Sequence, residues 1–279
     1  MQTVKLYNEN IYEGCAEVTL DLYIHKVSAE LTANTRPAML IFPGGGYSFV
    51  SDREAEPIAS SYFAEGYNCF VLKYITGKAA AKSKPLIDAA AAIAHIRENS
   101  KIYNIDKEKV AVIGFSAGGH LAGYIATSWH LPFLSSALKY DNELFKPNAV
   151  ILCYPVISGI DSAHQDSFDN LLGKERTEEE TRSASLELLV SEKTPPCFIW
   201  HTFDDEAVPV RNSLLFAQAL SEKKIRYELH IFPMGKHGLS RCNRETAPDW
   251  SNGEYVSPYI ARWVDWSVKW LEEQFFSCK

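Results

Sequence analysis

Between residues 36 and 232 the chain alternates short, dense apolar runs with stretches of helical spacing. The runs are "RPAMLIFPGGG", "YNCFVLKYI", "KVAVIGFSAGG", "PNAVILCYPVI", "TPPCFIWHTFDD" and "IRYELHIFPM". Runs this continuous suit strands buried on both faces. "SKPLIDAAAAIAHIRENS", "SAGGHLAGYIATS", "VRNSLLFAQALSEKK" and "SPYIARWVDWSVKWLEEQF" carry apolar residues at helical spacing. Buried strands alternating with helices imply a parallel sheet covered on both faces, the α/β class. "TVKLY" and "AEVTLDLYIHKV" at the start alternate instead, as half-exposed antiparallel strands do. The expected architecture is a mostly parallel central sheet with antiparallel N-terminal strands and helices on both faces.

The 279 residues, 46% of them hydrophobic, supply a sizeable core, and the pattern is read as one α/β domain over 1–279. Residues 158–194 break the rhythm. Thr177 and Glu180 form a capping-box pattern there, so one or two short helices are expected above the strand ends. They form either a small cap or a plain surface excursion.

Net charge is −7, from 28 basic and 35 acidic side chains. With no clustered basic stripe, nucleic acid is not an expected partner. No apolar run reaches the roughly 20 residues needed to span a bilayer, so no membrane association is expected. No signal-peptide pattern opens the chain, and a cytoplasmic location follows as the default. The cysteines at 15, 69, 153, 197, 242 and 278 show no metal-ligand spacing and are expected to be reduced, buried hydrophobes. No metal or cofactor is expected, and a homo-oligomer stays open.

Ser116 lies in "GFSAGGH", where a strand should end and a helix begin. In parallel sheets ligands bind at the carboxyl ends of the strands. Gly114-x-Ser116-x-Gly118 suits a nucleophile elbow, because side chains at the flanking positions would collide with backbone. The turn would raise the hydroxyl and leave the Ala117 amide at a helix N-terminus, able to donate to an oxyanion. The rival reading is a serine capping a tight turn. In this motif's chain order an acid and then a histidine follow. His230 belongs to the alternating "YELHIF", whereas His237 sits in the glycine-flanked "PMGKHGLS" and is the candidate base. His120 is expected to pack or bond locally, and His201 to touch the site from beneath. The acid comes from "HTFDDEAVPV", where Asp204 and Asp205 compete. Gly44, Gly45 and Gly46 in "FPGGGYSF" can bring amides close to a substrate oxygen. No G-K-[ST] follows and no G-x-G-x-x-G is present, which argues against phosphate or dinucleotide binding.

With these motifs in this order, the chain resembles the α/β-hydrolase superfamily. More narrowly, it is similar to the bacterial acetyl esterase and lipase/esterase group related to carbohydrate esterases and feruloyl esterase-like proteins. The resemblance runs from "AMLIFPGGGY" to "YELHIFPMGKHGLS". It implies the α/β-hydrolase fold and a serine carboxylesterase acting through Ser116, Asp205 and His237. Asp205 is singled out by the family pattern H-x-x-x-D-x-x-V-P, matched by His201, Asp205, Val208 and Pro209. Gly45, Gly46 and Ala117 would form the oxyanion hole. Pro43 replaces the histidine of the His-Gly-Gly-Gly found in many relatives, so support for this loop must come from elsewhere. Residues 240–257 match the family poorly.

The expected substrate is a small ester with a short acyl group, acetyl first, and an acetylated sugar is the family-based choice. Tyr47, Phe49, Trp250 and Tyr255 can stack on a sugar face or pack the rim; Tyr47 is taken as the substrate contact. Two other readings stay open, a small peptidase related to the prolyl-oligopeptidase family and a non-catalytic binding protein on the same fold.

Overall fold

The structure is a computed structural model that describes residues 2–276; Cys278 lies outside the described residues. Its strands are β1 (Gln2–Lys5), β2 (Thr19–Tyr23), β3 (Arg36–Phe42), β4 (Asn68–Lys73), β5 (Ile105–Phe115), β6 (Ala149–Cys153), β7 (Cys197–Thr202) and β8 (Tyr227–Phe232). They form one sheet in the order β1-β2-β4-β3-β5-β6-β7-β8. β1 and β2 pair antiparallel, as does β2 with β4, and every later pairing is parallel. The helices are α1 (Glu56–Ala64), α2 (Lys84–Glu98), α3 (Ala117–Ser128), α4 (Pro132–Leu138), α5 (Gln165–Leu172), α6 (Glu178–Ser183), α7 (Arg211–Glu222) and α8 (Trp263–Phe276).

The period of two along each strand divides the core. Leu40, Val112 and Leu152 face one cluster, with Leu86 and Ile93 of α2 and Leu121 and Ile125 of α3. Ile41, Ile113 and Ile151 face the other, with Ile58 and Tyr62 of α1 and Trp263 and Leu271 of α8. All these side chains are fully buried, which is why the central runs read as unbroken hydrophobic stretches. β8 is an edge strand, with side chains partly exposed along most of its length. That accounts for its alternating sequence.

The segment 158–194 holds α5 and α6. The capping box of α6 is present, with the Thr177 side chain accepting from the Glu180 N–H and Glu180 reaching back. α5 buries Phe168 and Leu171 in the cluster on the α2–α3 face of the sheet. Cys15, Cys69, Cys153, Cys197 and Cys242 are free and buried. Burial pushes the Cys69 and Cys153 thiols well up, which keeps them protonated and unreactive. Among the described residues no helix is long and apolar enough to cross a membrane.

Helices α1 and α4 were not expected from the sequence. Each spans only two turns or so, too short for an apolar period to show against the loops around it.

Candidate active site

β5 ends at Phe115, α3 begins at Ala117, and Ser116 alone makes the turn between them. Its backbone sits at φ 53°, ψ −119°, a conformation costly for an L side chain. Three bonds hold it there. The Ser116 N–H donates to Cys153 O (3.0 Å), and Ser116 O accepts from the His120 and Val156 amides (3.0 and 3.1 Å). The flanking glycines are sterically required. A Cβ on Gly114 would lie 2.0 Å from Gly118 O, and one on Gly118 would lie 2.1 Å from Phe42 O.

His237 comes from the loop after β8. Its Nε2 is 2.8 Å from Ser116 Oγ, and its Nδ1 is 2.7 Å from Asp205 Oδ2. The loop after β7 exposes Asp204 and buries Asp205, so Asp205 is the one that meets the imidazole. Asp205 Oδ1 accepts from the Ala207 and Val208 amides at 3.0 and 2.8 Å. Burial opposes ionisation of this carboxyl. The hydrogen bonds from His201 and His237, with the charge of His237 and the Val208 amide, outweigh it and hold Asp205 well below the usual carboxylate range. His201 lies beneath it. Its Nε2–H donates to Val208 O (2.8 Å) and approaches Asp205 Oδ2 (3.3 Å), while Nδ1 bonds the Ser213 hydroxyl at 2.7 Å. His230 is remote, stacked on Trp266 and bonded to Glu228.

The glycine loop after β3 is oriented by its carbonyls. Gly44 O accepts from Ser51 N–H (3.0 Å) and Gly45 O from Ser48 N–H (2.9 Å). In a trans peptide the N–H points opposite to the carbonyl, so the Gly45 and Gly46 amides face away from these bonds. The Gly44 amide is committed elsewhere, donating to Glu54 Oε2 at 2.8 Å. Gly46 O accepts from Asn170 Nδ2 of α5 at 2.9 Å. Gly45, Gly46, Ser116 and His237 line a cleft of about 600 Å³, with Phe49 and His164 on its wall. Ala117 opens α3, in the first turn, where amides lack intrahelical acceptors. A larger hollow of about 740 Å³ lies beside the base loop, lined by Phe203, Met234 and Tyr259, and does not include the serine or the glycines.

Tyr47 is corrected from substrate contact to core. It takes a positive φ of 58° at the turn. The side chain is fully buried, its hydroxyl donating to His120 Nδ1 at 2.8 Å. His120 Nε2–H in turn donates to Ala184 O (2.8 Å). Burial pushes this imidazole down to about 4, so it is a neutral strut joining α3, the glycine loop and the end of α6. Tyr255 is also buried, under the Arg53 guanidinium. Trp250 is exposed but does not line the cleft, which leaves Phe49 as the aromatic there.

Two features were not read from the sequence. Glu54, buried at 3% exposure, supports the glycine loop through the Gly44 amide. His164, just before α5, lines the cleft with Nδ1 bonded to Ser167 Oγ at 2.8 Å. Burial, then the proximity of His237, keeps its pKa low. A charged residue in a loop and a lone histidine before a helix carry no signal of their own.

Residues 20–220 match the BD-FAE family model. The chain is 44% identical over 223 residues to endo-1,4-beta-xylanase B of Butyrivibrio fibrisolvens, a match covering 79% of this chain and 35% of that one. It is 32% identical over 208 residues to the acetylxylan esterase of Xylanibacter ruminicola, covering 72% and 41%. The matches thus span about two fifths or less of these relatives' lengths. Among solved structures, the acetyl ester-xyloside bifunctional hydrolase from Caldicellulosiruptor lactoaceticus is similar at a TM-score of 0.83 and 34% identity, with 99% of this chain and 97% of that one covered.

Proposed function

The chain belongs to the BD-FAE family of α/β-hydrolases, and from that premise we propose that it is a serine carboxylesterase cleaving short acyl esters, acetyl esters of carbohydrates first among them. The observation that carries this reading is the unbroken chain of bonds from Ser116 Oγ through His237 to Asp205, 2.8 and 2.7 Å long, with Ser116 and His237 lining the cleft.

In the proposed cycle His237 Nε2 takes the Ser116 proton as Oγ attacks the ester carbonyl. Asp205, ionised throughout the working range, fixes the Nδ1–H tautomer and stabilises the imidazolium. The amides of Gly45, Gly46 and Ala117 receive the oxyanion; losing one such donor typically costs about 2.7–4 kcal/mol of barrier. The imidazolium returns its proton to the departing alcohol. Water, activated by the same imidazole, then hydrolyses the acyl-enzyme.

The short-chain preference is supported by the cleft wall, where Ser48, Arg53, His164 and Asn170 stand among few apolar groups. A long acyl chain needs an apolar tunnel, while a polyol needs hydrogen-bonding groups such as these. The acetyl-sugar choice draws on the acetylxylan esterase and acetyl ester-xyloside hydrolase relatives. We take residues 158–194 as a small cap within one domain, since α5 bonds the glycine loop directly.

Turnover of p-nitrophenyl esters of increasing chain length, beside acetate release from acetylated xylo-oligosaccharides, tests the reading. It expects highest activity on acetyl and loss of all activity in Ser116→Ala with an unchanged melting curve. Undiminished turnover in that variant would remove Ser116 from the mechanism, and a preference for long acyl chains would overturn the substrate class.

A further inference from the structure

We infer that Glu54, with Tyr154 and Arg53, is a positioning centre that holds the oxyanion loop and the base loop in register with each other. The inference rests on the esterase reading above.

Arg53 and Glu54 belong to a short 3-10 turn, Asp52–Glu54, between the glycine loop and α1. The two side chains reach in different directions. Glu54 Oε2 accepts from the Gly44 amide at 2.8 Å, one residue before the proposed oxyanion donors. Its Oε1 accepts from the Tyr154 hydroxyl at 2.6 Å. Tyr154 Oη then accepts from the Ser240 amide at 2.9 Å, and its ring meets the His237 ring edge-on with centroids 5.1 Å apart. Arg53 grips the same loop. Its Nη2 donates to Gly238 O (2.7 Å), its Nε to Thr246 O (2.5 Å), and its own carbonyl accepts from Ser240 Oγ (2.6 Å). One turn of chain thus holds Gly44 on one side and, on the other, Gly238 and Ser240, one and three residues after His237.

A buried carboxylate with only neutral donors is costly to keep. Arg53 turns its Nε and Nη2 to carbonyls of the base loop and makes no ion pair with Glu54. Charge-assisted bonds to Gly44 and Tyr154 are stronger and stiffer than neutral ones. Stiffness has catalytic value where donors must be aimed at an oxyanion before it forms. The Gly44 bond also removes that amide from competition and leaves Gly45 and Gly46 to face the cleft. Because Glu54 and Arg53 act from one turn, displacement of the oxyanion loop is transmitted to His237.

The test compares Glu54→Ala, Glu54→Gln and Tyr154→Phe with the full-length wild type, using p-nitrophenyl acetate and a trifluoromethyl ketone as transition-state analogue. Tyr62→Phe is the control, since it loses a buried hydroxyl bond to Ser267 (2.7 Å) on the α1–α8 side of the sheet. Expected in Glu54→Ala is a fall in kcat on the order of 10–100-fold, with KM nearly unchanged and ketone affinity falling with kcat/KM. Glu54→Gln, which keeps an acceptor for Gly44, should recover part of the loss. Tyr154→Phe, which keeps the Gly44 bond and frees Ser240, should lower kcat even if Glu54→Ala fails to fold. An unchanged kcat in folded Glu54→Ala or Tyr154→Phe overturns the inference. So does an equal loss in Tyr62→Phe at equal melting temperature, which would make the effect one of stability alone. Absence of esterase activity in the wild type would sink the esterase reading itself and is distinguishable from both.

Discussion

At Ser116 the local sequence and the local strain agree. The turn needs φ 53° at the serine and no Cβ at the glycines two residues either side. Gly118→Ala should therefore push the end of β3 away from the turn, lowering the melting temperature and abolishing ester hydrolysis together. Asp205 makes a different prediction. Its folded pKa is held below the unfolded value of about 3.9, chiefly by His201 and His237 acting against burial. The stability this supplies is full above that value and is lost as pH falls toward the folded one. Melting temperatures taken down an acid series should fall more steeply for wild type than for Asp205→Asn. At neutral pH the same variant should lose roughly ten-thousand-fold in kcat through the wrong imidazole tautomer. Legibility at this scale followed chain distance. Ser116 and the proposed base His237 announced themselves through neighbouring glycines, whereas nothing local separated Asp204 from Asp205 until a family pattern did. Tyr47 was misread because an aromatic in a loop looks like rim, whereas its ring is buried and bonded to His120. The Arg53 and Glu54 partners lie as far as 193 residues away in sequence, beyond any local pattern.

The elements were legible where burial was two-sided. β3, β5, β6 and β7 stand out because both faces are covered, and α2 and α3 because they are long enough to show a period. α1 and α4 were hidden by their brevity, and nothing in the sequence linked α5 to the glycine loop. Asn170→Ala should free Gly46 O from α5, and the expected outcome is a raised KM for acetylated sugars with less effect on p-nitrophenyl acetate, read by paired kinetics. A second element-scale device anchors the N-terminal segment to α2. Asp88 of α2 is buried and accepts hydrogen bonds from Tyr7 Oη (2.6 Å), Tyr12 Oη and the Ile75 amide (3.0 Å). Burial pushes its carboxyl up to about 6, against the lowering effect of those bonds and of nearby Lys84. With the folded pKa above the unfolded one, stability is greatest below the ordinary carboxylate range and declines as pH rises through about 6. Melting temperatures of wild type and Asp88→Asn should shift in the variant's favour as pH rises from ~4 to ~7. A constant difference would show that this carboxyl does not titrate there.

For the whole molecule, parallel strands bring residues 116, 205 and 237 to one end of the sheet although they lie far apart in the chain. The order of apolar runs conveyed that topology, since each run supplies a loop at the same sheet end. What the order could not convey is the three-dimensional tie between loops, or the part of the cleft wall that His164 and Asn170 build. This arrangement carries the proposal that Ser116 is the nucleophile of an ester-hydrolysing site. It is tested most directly by incubating the wild type with a fluorophosphonate probe and mapping the modified peptide by mass spectrometry. Stoichiometric labelling at Ser116, with esterase activity lost in proportion and no labelling of folded Ser116→Ala, is the predicted result. Ester hydrolysis that survives with Ser116 unlabelled, or a label on another residue, would contradict it.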